Sequence, residues 1–205
     1  DANMDRAPVV AIAGQGATTR MHKESHQILD LVNLFEPITK YSKQILEPEI
    51  VPEIIRKAFK LAQAEKPGCS FIDFPENIAE MDVFDCPPLK VQHAREPVAP
   101  VGRCAKAAQH IAEAKAPVIM VGNGVIRNQA SDSLIAFAEK LNIPVATTFM
   151  AKGAIPASHP LSLGTIGMKA RDLVYYGFEA ADLIICIGVD MVEYHPELWN
   201  PNSDK

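Results

Sequence analysis

Aromatic side chains are scarce in this 205-residue chain: 6% of positions, with Trp199 the single tryptophan. A core made here must rest on aliphatic contacts, and 48% hydrophobic residues are ample for one. No apolar run approaches the roughly 20 residues that a membrane helix needs, and the first residues lack the pattern of a signal peptide. Basic residues form no dense cluster and the net charge is -5, so neither nucleic acid nor a membrane surface is an expected partner. The four cysteines (Cys69, Cys86, Cys104, Cys186) make no C-x-x-C pair and no metal-ligand spacing. Cys69 and Cys186 lie in apolar runs and read as small buried hydrophobes. A reducing cytoplasm is the expected compartment. Neither G-x-G-x-x-G nor a P-loop occurs, and there is no nucleophile elbow.

What is present is a strand–helix rhythm. Ala116-Pro117-Val118-Ile119-Met120-Val121 ends abruptly in Gly122-Asn123-Gly124. A short run rich in Val and Ile, bounded by turn residues, reads as a strand covered on both faces, as in a parallel sheet. Similar runs are Pro8–Gly14, Cys69–Pro75, Pro144–Thr148 and Asp182–Gly188, with Pro37–Tyr41 as a further strand that starts on proline. Helical spacing marks Glu49–Glu65, through Ile54, Ile55, Ala58, Phe59, Leu61 and Ala62. It also marks Arg103–Ala114 (Cys104, Ala107, Ala108, Ile111, Ala112) and Ser131–Leu141 (Leu134, Ile135, Phe137, Ala138, Leu141), with Ser131 as the expected cap. A short helix is expected around Leu29–Phe35 and another over Met168–Glu179, with Met150–Gly167 an irregular loop. Prolines 87, 88, 97 and 100 crowd a polar stretch, so 85–100 reads as a linker between residues 1–84 and 101–205. The fold class is α/β with parallel sheets. The chain opens on Asp rather than Met and ends without an element to close the last sheet, so it reads as a piece of a longer protein.

Few residues suggest chemistry. His22 and His26 flank Glu24, but no third ligand is near in sequence, so solvated histidines are the better reading and no metal site is expected. Gln27 is neutral and suited to orienting a substrate by hydrogen bonds. Gly122 and Gly124 stand at the carboxyl end of a strand, where ligands bind in open α/β sheets, and their backbone amides are candidates for a phosphate; plain turn geometry is the alternative. Glu193-Tyr194-His195 are chain neighbours that do not face one another, and so make no catalytic set.

Several of these motifs, in order, resemble thiamine-diphosphate-dependent enzymes of the acetolactate synthase group. They are Ala7–Gln15 followed by His26-Gln27, Pro37–Tyr41, Lys66-Pro67-Gly68 leading into Ile72–Ile78, and Ala116–Gly124. Ile143–Thr148 and Ala181–Gly188 with Val192-Glu193-Tyr194 and Trp199-Asn200 complete the set, the last being most similar to the catabolic, flavin-independent branch. The resemblance implies the end of a pyrimidine-binding domain followed by most of a central, six-stranded-type doubly wound domain, truncated. It also implies that the glutamate activating the cofactor and the segment holding Mg²⁺ and diphosphate lie outside this chain, so the piece alone is expected to be inactive. In the parent, two pyruvates would condense to 2-acetolactate and CO₂ with thiamine diphosphate and Mg²⁺, in a homo-oligomer (dimer or tetramer). Gln27 matches a glutamine near the thiazolium and is the expected substrate-positioning residue; Gln15 matches a neighbouring cofactor-binding position.

The biosynthetic branch of that group holds FAD in the central domain. Its arginine in the first loop falls here on Thr18, its Gly-Met-His-Gly reads Gly167-Met168-Lys169-Ala170, and its Phe-Asp-Asp-Arg reads Asp190-Met191-Val192-Glu193. FAD binding is therefore not expected, although Arg20 or Arg171 could substitute for the missing partner. Another decarboxylase or carboligase of the same superfamily is the alternative enzyme, and a stand-alone nucleotide-binding module is the alternative of another class.

Overall fold

The computed structural model describes residues 1–93, 97–167, 173–201 and 203. The chain divides into two compact units, Asp1–Val98 and Ala99–Lys205, and each has one all-parallel sheet. No helix is long and apolar enough to cross a membrane among the described residues.

In the first unit, β1 (Val9–Gln15) and β2 (Tyr41–Gln44) flank a central β3 (Cys69–Pro75). Side chains alternate across a strand, and β3 uses this to build two different layers. Ile72 faces α2 (Val51–Gln63) in a core with Ile45, Ile54, Ala58 and Ile78, and Ser70 Oγ donates to Ala58 O at 3.0 Å. On the other face Phe71 stacks on Phe35 of the short α1 (Leu31–Phe35), with ring centroids 4.0 Å apart. Asp30 caps α1 by accepting from Asn33 N at 3.1 Å. The helix α2 begins from a 3-10 turn at Pro48–Ile50 with Pro52 in its first turn, where a missing N–H costs nothing. Its other end is closed from outside: Lys40 Nζ donates to Ala64 O at 2.6 Å and Lys66 O at 2.7 Å. Its buried residues are Ile54, Ala58 and Ala62, whereas Phe59 is 51% exposed.

In the second unit, the sheet order is β6-β5-β4-β7, formed by β4 (Pro117–Val121), β5 (Val145–Thr147), β6 (Ser162–Thr165) and β7 (Leu183–Ile187). The apolar run of β4 is covered on both faces. Ile119 and Val121 pack with α5 (Asn123–Arg127) and α6 (Ser131–Leu141), while Val118 and Met120 pack with Phe178 of α7 (Leu173–Ala180). These four side chains are at most 1% exposed. At about 1.5–3 kcal/mol for each buried aliphatic side chain, they form the main apolar anchor of this unit. Asn142 ends α6 in the left-handed region (φ 53°), a conformation that asparagine tolerates.

Several expectations need correction. Pro37–Tyr41 is not a strand: Glu36–Ile38 is a 3-10 turn, closed by Thr39 Oγ1 donating to Phe35 O at 2.7 Å, and β2 starts only at Tyr41. The loop Met150–Gly167 contains β6, whose only large apolar residue is Leu163, so its sequence carries no strand pattern. Ser131 is not the cap of α6; Ala130 holds that position without a side-chain bond. Leu141 is 40% exposed. The apolar face of α4 (Val101–Glu113) has no buried residue in this chain. Cys69 is half-buried and Cys186, on the edge strand β7, is exposed, so neither is a core hydrophobe. The start of the helix expected at Met168, and with it Lys169, Ala170 and Arg171, lies outside the described residues.

Candidate functional site

Polar groups gather at the carboxyl ends of both sheets. In the first unit, the loop leaving β1 folds back on the strand ends and is tied down at several points. Gly16 N donates to Gln27 O at 3.3 Å, and Gln15 Nε2 donates to Leu29 O at 2.6 Å. A Cβ on Gly16 would crowd the ends of the Ile28 and Arg20 side chains, which would have to shift. The short α3 (Glu76–Ala79), which follows β3, holds the same loop. Ala17 N donates to Glu76 Oε1 at 3.2 Å, Thr18 N to Asn77 Oδ1 at 2.9 Å, and Arg20 pairs with Glu76 at 3.0 Å.

Gln27 and Gln15, both singled out from sequence, sit in this loop in different states. Gln27 is exposed, in the left-handed region (φ 61°), and no side-chain hydrogen bond engages its amide among the described residues. Gln15 is 4% exposed and its amide is used at both ends, since Oε1 also accepts from Gly16 N at 3.2 Å. Sequence reasoning passed over Asp73, Gln44, Glu76 and Asn77. The signal was a lone carboxylate inside an apolar strand, at Ile72-Asp73-Phe74.

In the second unit the direction of winding reverses between β4 and β7, the switch point where open α/β sheets form a ligand crevice. Gly122 and Gly124 are there, but the crevice is filled from within. A Cβ on Gly122 would run into Gly188 O and Val189 Cα, and one on Gly124 would meet Gly188 Cα at 2.7 Å. The Glu193 carboxylate occupies the adjoining space. It accepts from Asn123 N at 2.9 and 3.1 Å, from Asp190 N at 2.9 Å and from Thr148 Oγ1. Backbone amides that would otherwise meet a ligand anion thus already hold an internal one. No group of three or more His, Cys, Asp or Glu placed to hold a metal ion occurs among the described residues.

Residues 104–205 match the family model described as "Thiamine pyrophosphate enzyme, central domain". The chain belongs to the thiamine-diphosphate-dependent enzymes. It is 40% identical over 190 residues to the "Probable acetolactate synthase large subunit" of Methanocaldococcus jannaschii, covering 90% of this chain and 32% of the relative. With the acetolactate synthase large subunit of Corynebacterium glutamicum it shares 37% identity over 198 residues, 92% of this chain and 30% of that protein. The chain thus spans about a third of the length of these curated relatives. The crystal structure of benzoylformate decarboxylase from Polynucleobacter necessarius superposes with a TM-score of 0.81 at 27% identity, over 95% of this chain and 37% of that one.

The exposed amide of Gln27 stands on a loop fastened to the strand ends. The carboxylate-filled crevice of the second unit does not suit a diphosphate, because like charges would meet there.

Proposed function

We propose that this chain is part of an acetolactate synthase, which joins two pyruvates to form 2-acetolactate and CO₂ with thiamine diphosphate and Mg²⁺. The observation that carries the reading is similarity at 37–40% identity, over nine-tenths of the chain, to proteins bearing that name. Thiamine diphosphate, when bound, supplies the nucleophilic carbon and takes up the electrons released with CO₂. Gln27 then orients the pyruvate carboxylate or carbonyl through its neutral amide. The loop fastened by Gln15, Glu76 and Asn77 keeps that amide in place and helps to exclude water. The second unit acts as a scaffold that needs no flavin, because Glu193 already satisfies the amides at its switch point. The intact protein is a homo-oligomer, a reading supported by large apolar side chains as exposed as Val101 (85%) and Leu173 (87%).

The test is acetolactate formation from pyruvate by the full-length polypeptide carrying this chain, with thiamine diphosphate and Mg²⁺ and with or without FAD. Product in both mixtures supports the reading. Product only with FAD overturns the role given to Glu193. Decarboxylation without carbon–carbon bond formation would favour a second reading, a decarboxylase of the same superfamily, to which the benzoylformate decarboxylase likeness points.

A further inference from the structure

The loop that carries Gln27 contains a 3-10 turn, Thr18–Arg20, and that turn is capped from another element. Its own N-cap residue, Ala17, makes no side-chain bond. The first amides of a helical turn find no acceptor within it. Here the acceptors come from α3, 59 positions along the chain: Glu76 Oε1 accepts from Ala17 N at 3.2 Å, and Asn77 Oδ1 accepts from Thr18 N at 2.9 Å. Asn77 then makes a second bond to the same residue, its Nδ2 donating to Thr18 Oγ1 at 3.0 Å. Both ends of one side-chain amide are thus used on Thr18, which fixes the orientation of each group against the other.

Asn77 is itself held firmly. It follows β3 within two residues, and the next residue, Ile78, is 5% exposed in the core with Ile54, Ala58 and Ile72. The neighbouring Arg20–Glu76 pair is a weaker tie, because its side chains are 42% and 50% exposed and water and salt screen it. On the other side of the capped amides, Gly16 N is shared between Gln15 Oε1 and Gln27 O. A shift of Ala17 and Thr18 therefore reaches Gln27 through a single intervening residue. Residues 22–27 are exposed throughout, and Gln27 has φ 61°, a left-handed conformation that a non-glycine residue keeps only when its surroundings enforce it.

We propose that Asn77 is a positioning residue: from α3 it caps the turn Thr18–Arg20, and through Gly16 that turn sets where the Gln27 amide meets the substrate. The role of Gln27 rests on the acetolactate synthase reading; the capping and its effect on the loop do not.

The test compares Asn77→Leu, Thr18→Val, Thr18→Ser and Arg20→Met in the full-length polypeptide. Hydrogen exchange at Gly16 reads the effect on the loop, because neither acceptor of that amide is altered by any of the four substitutions. Asn77→Leu is expected to speed it about tenfold while β3 and α2 keep their protection. Thr18→Val, which removes only the second bond, speeds it about threefold, and Thr18→Ser, which keeps the hydroxyl, matches the parent. Adding Thr18→Val to Asn77→Leu brings no further increase, since both act through one contact. In turnover, Asn77→Leu raises KM for pyruvate more than it lowers kcat. Unchanged exchange at Gly16 in Asn77→Leu overturns the proposal. So does a serine variant that behaves like valine, or an Arg20→Met variant that loosens the loop as much as Asn77→Leu. Protection lost throughout β3 and α2 in both Asn77→Leu and Thr18→Val, or an unchanged KM beside a loosened loop, overturns it as well. If the parent makes no acetolactate, the functional reading fails, while the exchange data still decide the capping.

Discussion

Removing the Glu193 carboxylate should loosen the second unit from the carboxyl ends of three strands at once. That carboxylate joins the start of α5, the end of β5 and the segment after β7, through Asn123 N, Thr148 Oγ1 and Asp190 N. Bonds to a charged group are worth about 1.5–3 kcal/mol each when sheltered. Glu193 is half-buried, so water replaces part of what is lost. A net cost of about 3 kcal/mol for Glu193→Ala follows, and about 1–2 kcal/mol for Glu193→Gln, which keeps one acceptor oxygen. In a unit of this size each kcal/mol lowers Tm by about 4–8 °C. Urea unfolding of the chain, followed by the emission of Trp199, measures this. Trp199 reports on the right region, since its Nε1 donates to Tyr194 O at 3.3 Å and its ring lies edge-on to Phe178 at 6.5 Å. A Glu193→Ala variant within about 0.5 kcal/mol of the parent, with unchanged emission, would refute the reasoning.

Gly122→Ala puts a Cβ into the backbone of Gly188 and Val189, atoms that cannot give way, and should cost about 3 kcal/mol or more, measured by the same unfolding assay. Lys40→Met removes two charge-assisted bonds at the end of α2 and should cost about 1 kcal/mol in urea unfolding, with fraying over Ala64–Lys66 seen by hydrogen exchange. The raised pKa of Asp73 means that the native state holds this proton more tightly than the unfolded chain does. Asp73 therefore weakens the fold as pH rises from about 4 through its raised value. Asp73→Asn removes that loss, so the stability gap between parent and variant should close on the acid side in a pH series of urea melts. Asp182 behaves oppositely: Lys115 N and Ala116 N hold its pKa below the usual value. Its contribution is present above the ordinary aspartate range and fades as pH falls through the lowered value, and Asp182→Asn should lose that acid-side dependence.

Strands whose sequence is uniformly apolar were legible, because an aliphatic run such as Val118–Val121 has no good alternative to burial. Strand β6 was not, because Ser162–Thr165 pairs only along the sheet edge and needs no apolar pattern. The exposed face of α4 shows the reverse failure, since helical spacing predicts an apolar stripe but not what covers it. At the site, Gln27 was legible from its own chemistry and from a resemblance and Gln15 from the resemblance alone, but their different states were not, because loop closure brings Leu29 back to Gln15. Glu193 was read beside its chain neighbours, where it meets nothing; its partners come from β4, β5 and the turn after β7. Asp73 was hidden in plain view within a strand motif, since Gln44, which donates to it, lies 29 positions away in sequence.

The meeting of Gly122, Gly124 and Gly188 narrows the routes by which this crevice can change. A side chain too large for a core is often accommodated when a neighbour shrinks. Here the neighbours are main-chain atoms: at Gly188, with φ 64°, a Cβ would lie 2.6 Å from Val125 N and 3.0 Å from Gly124 Cα. A substitution at any of the three therefore has no second-site suppressor among the surrounding side chains. Only a longer or re-routed connection after β7 would make room, so innovation at this crevice must proceed by insertion and deletion, not by exchange of one residue for another.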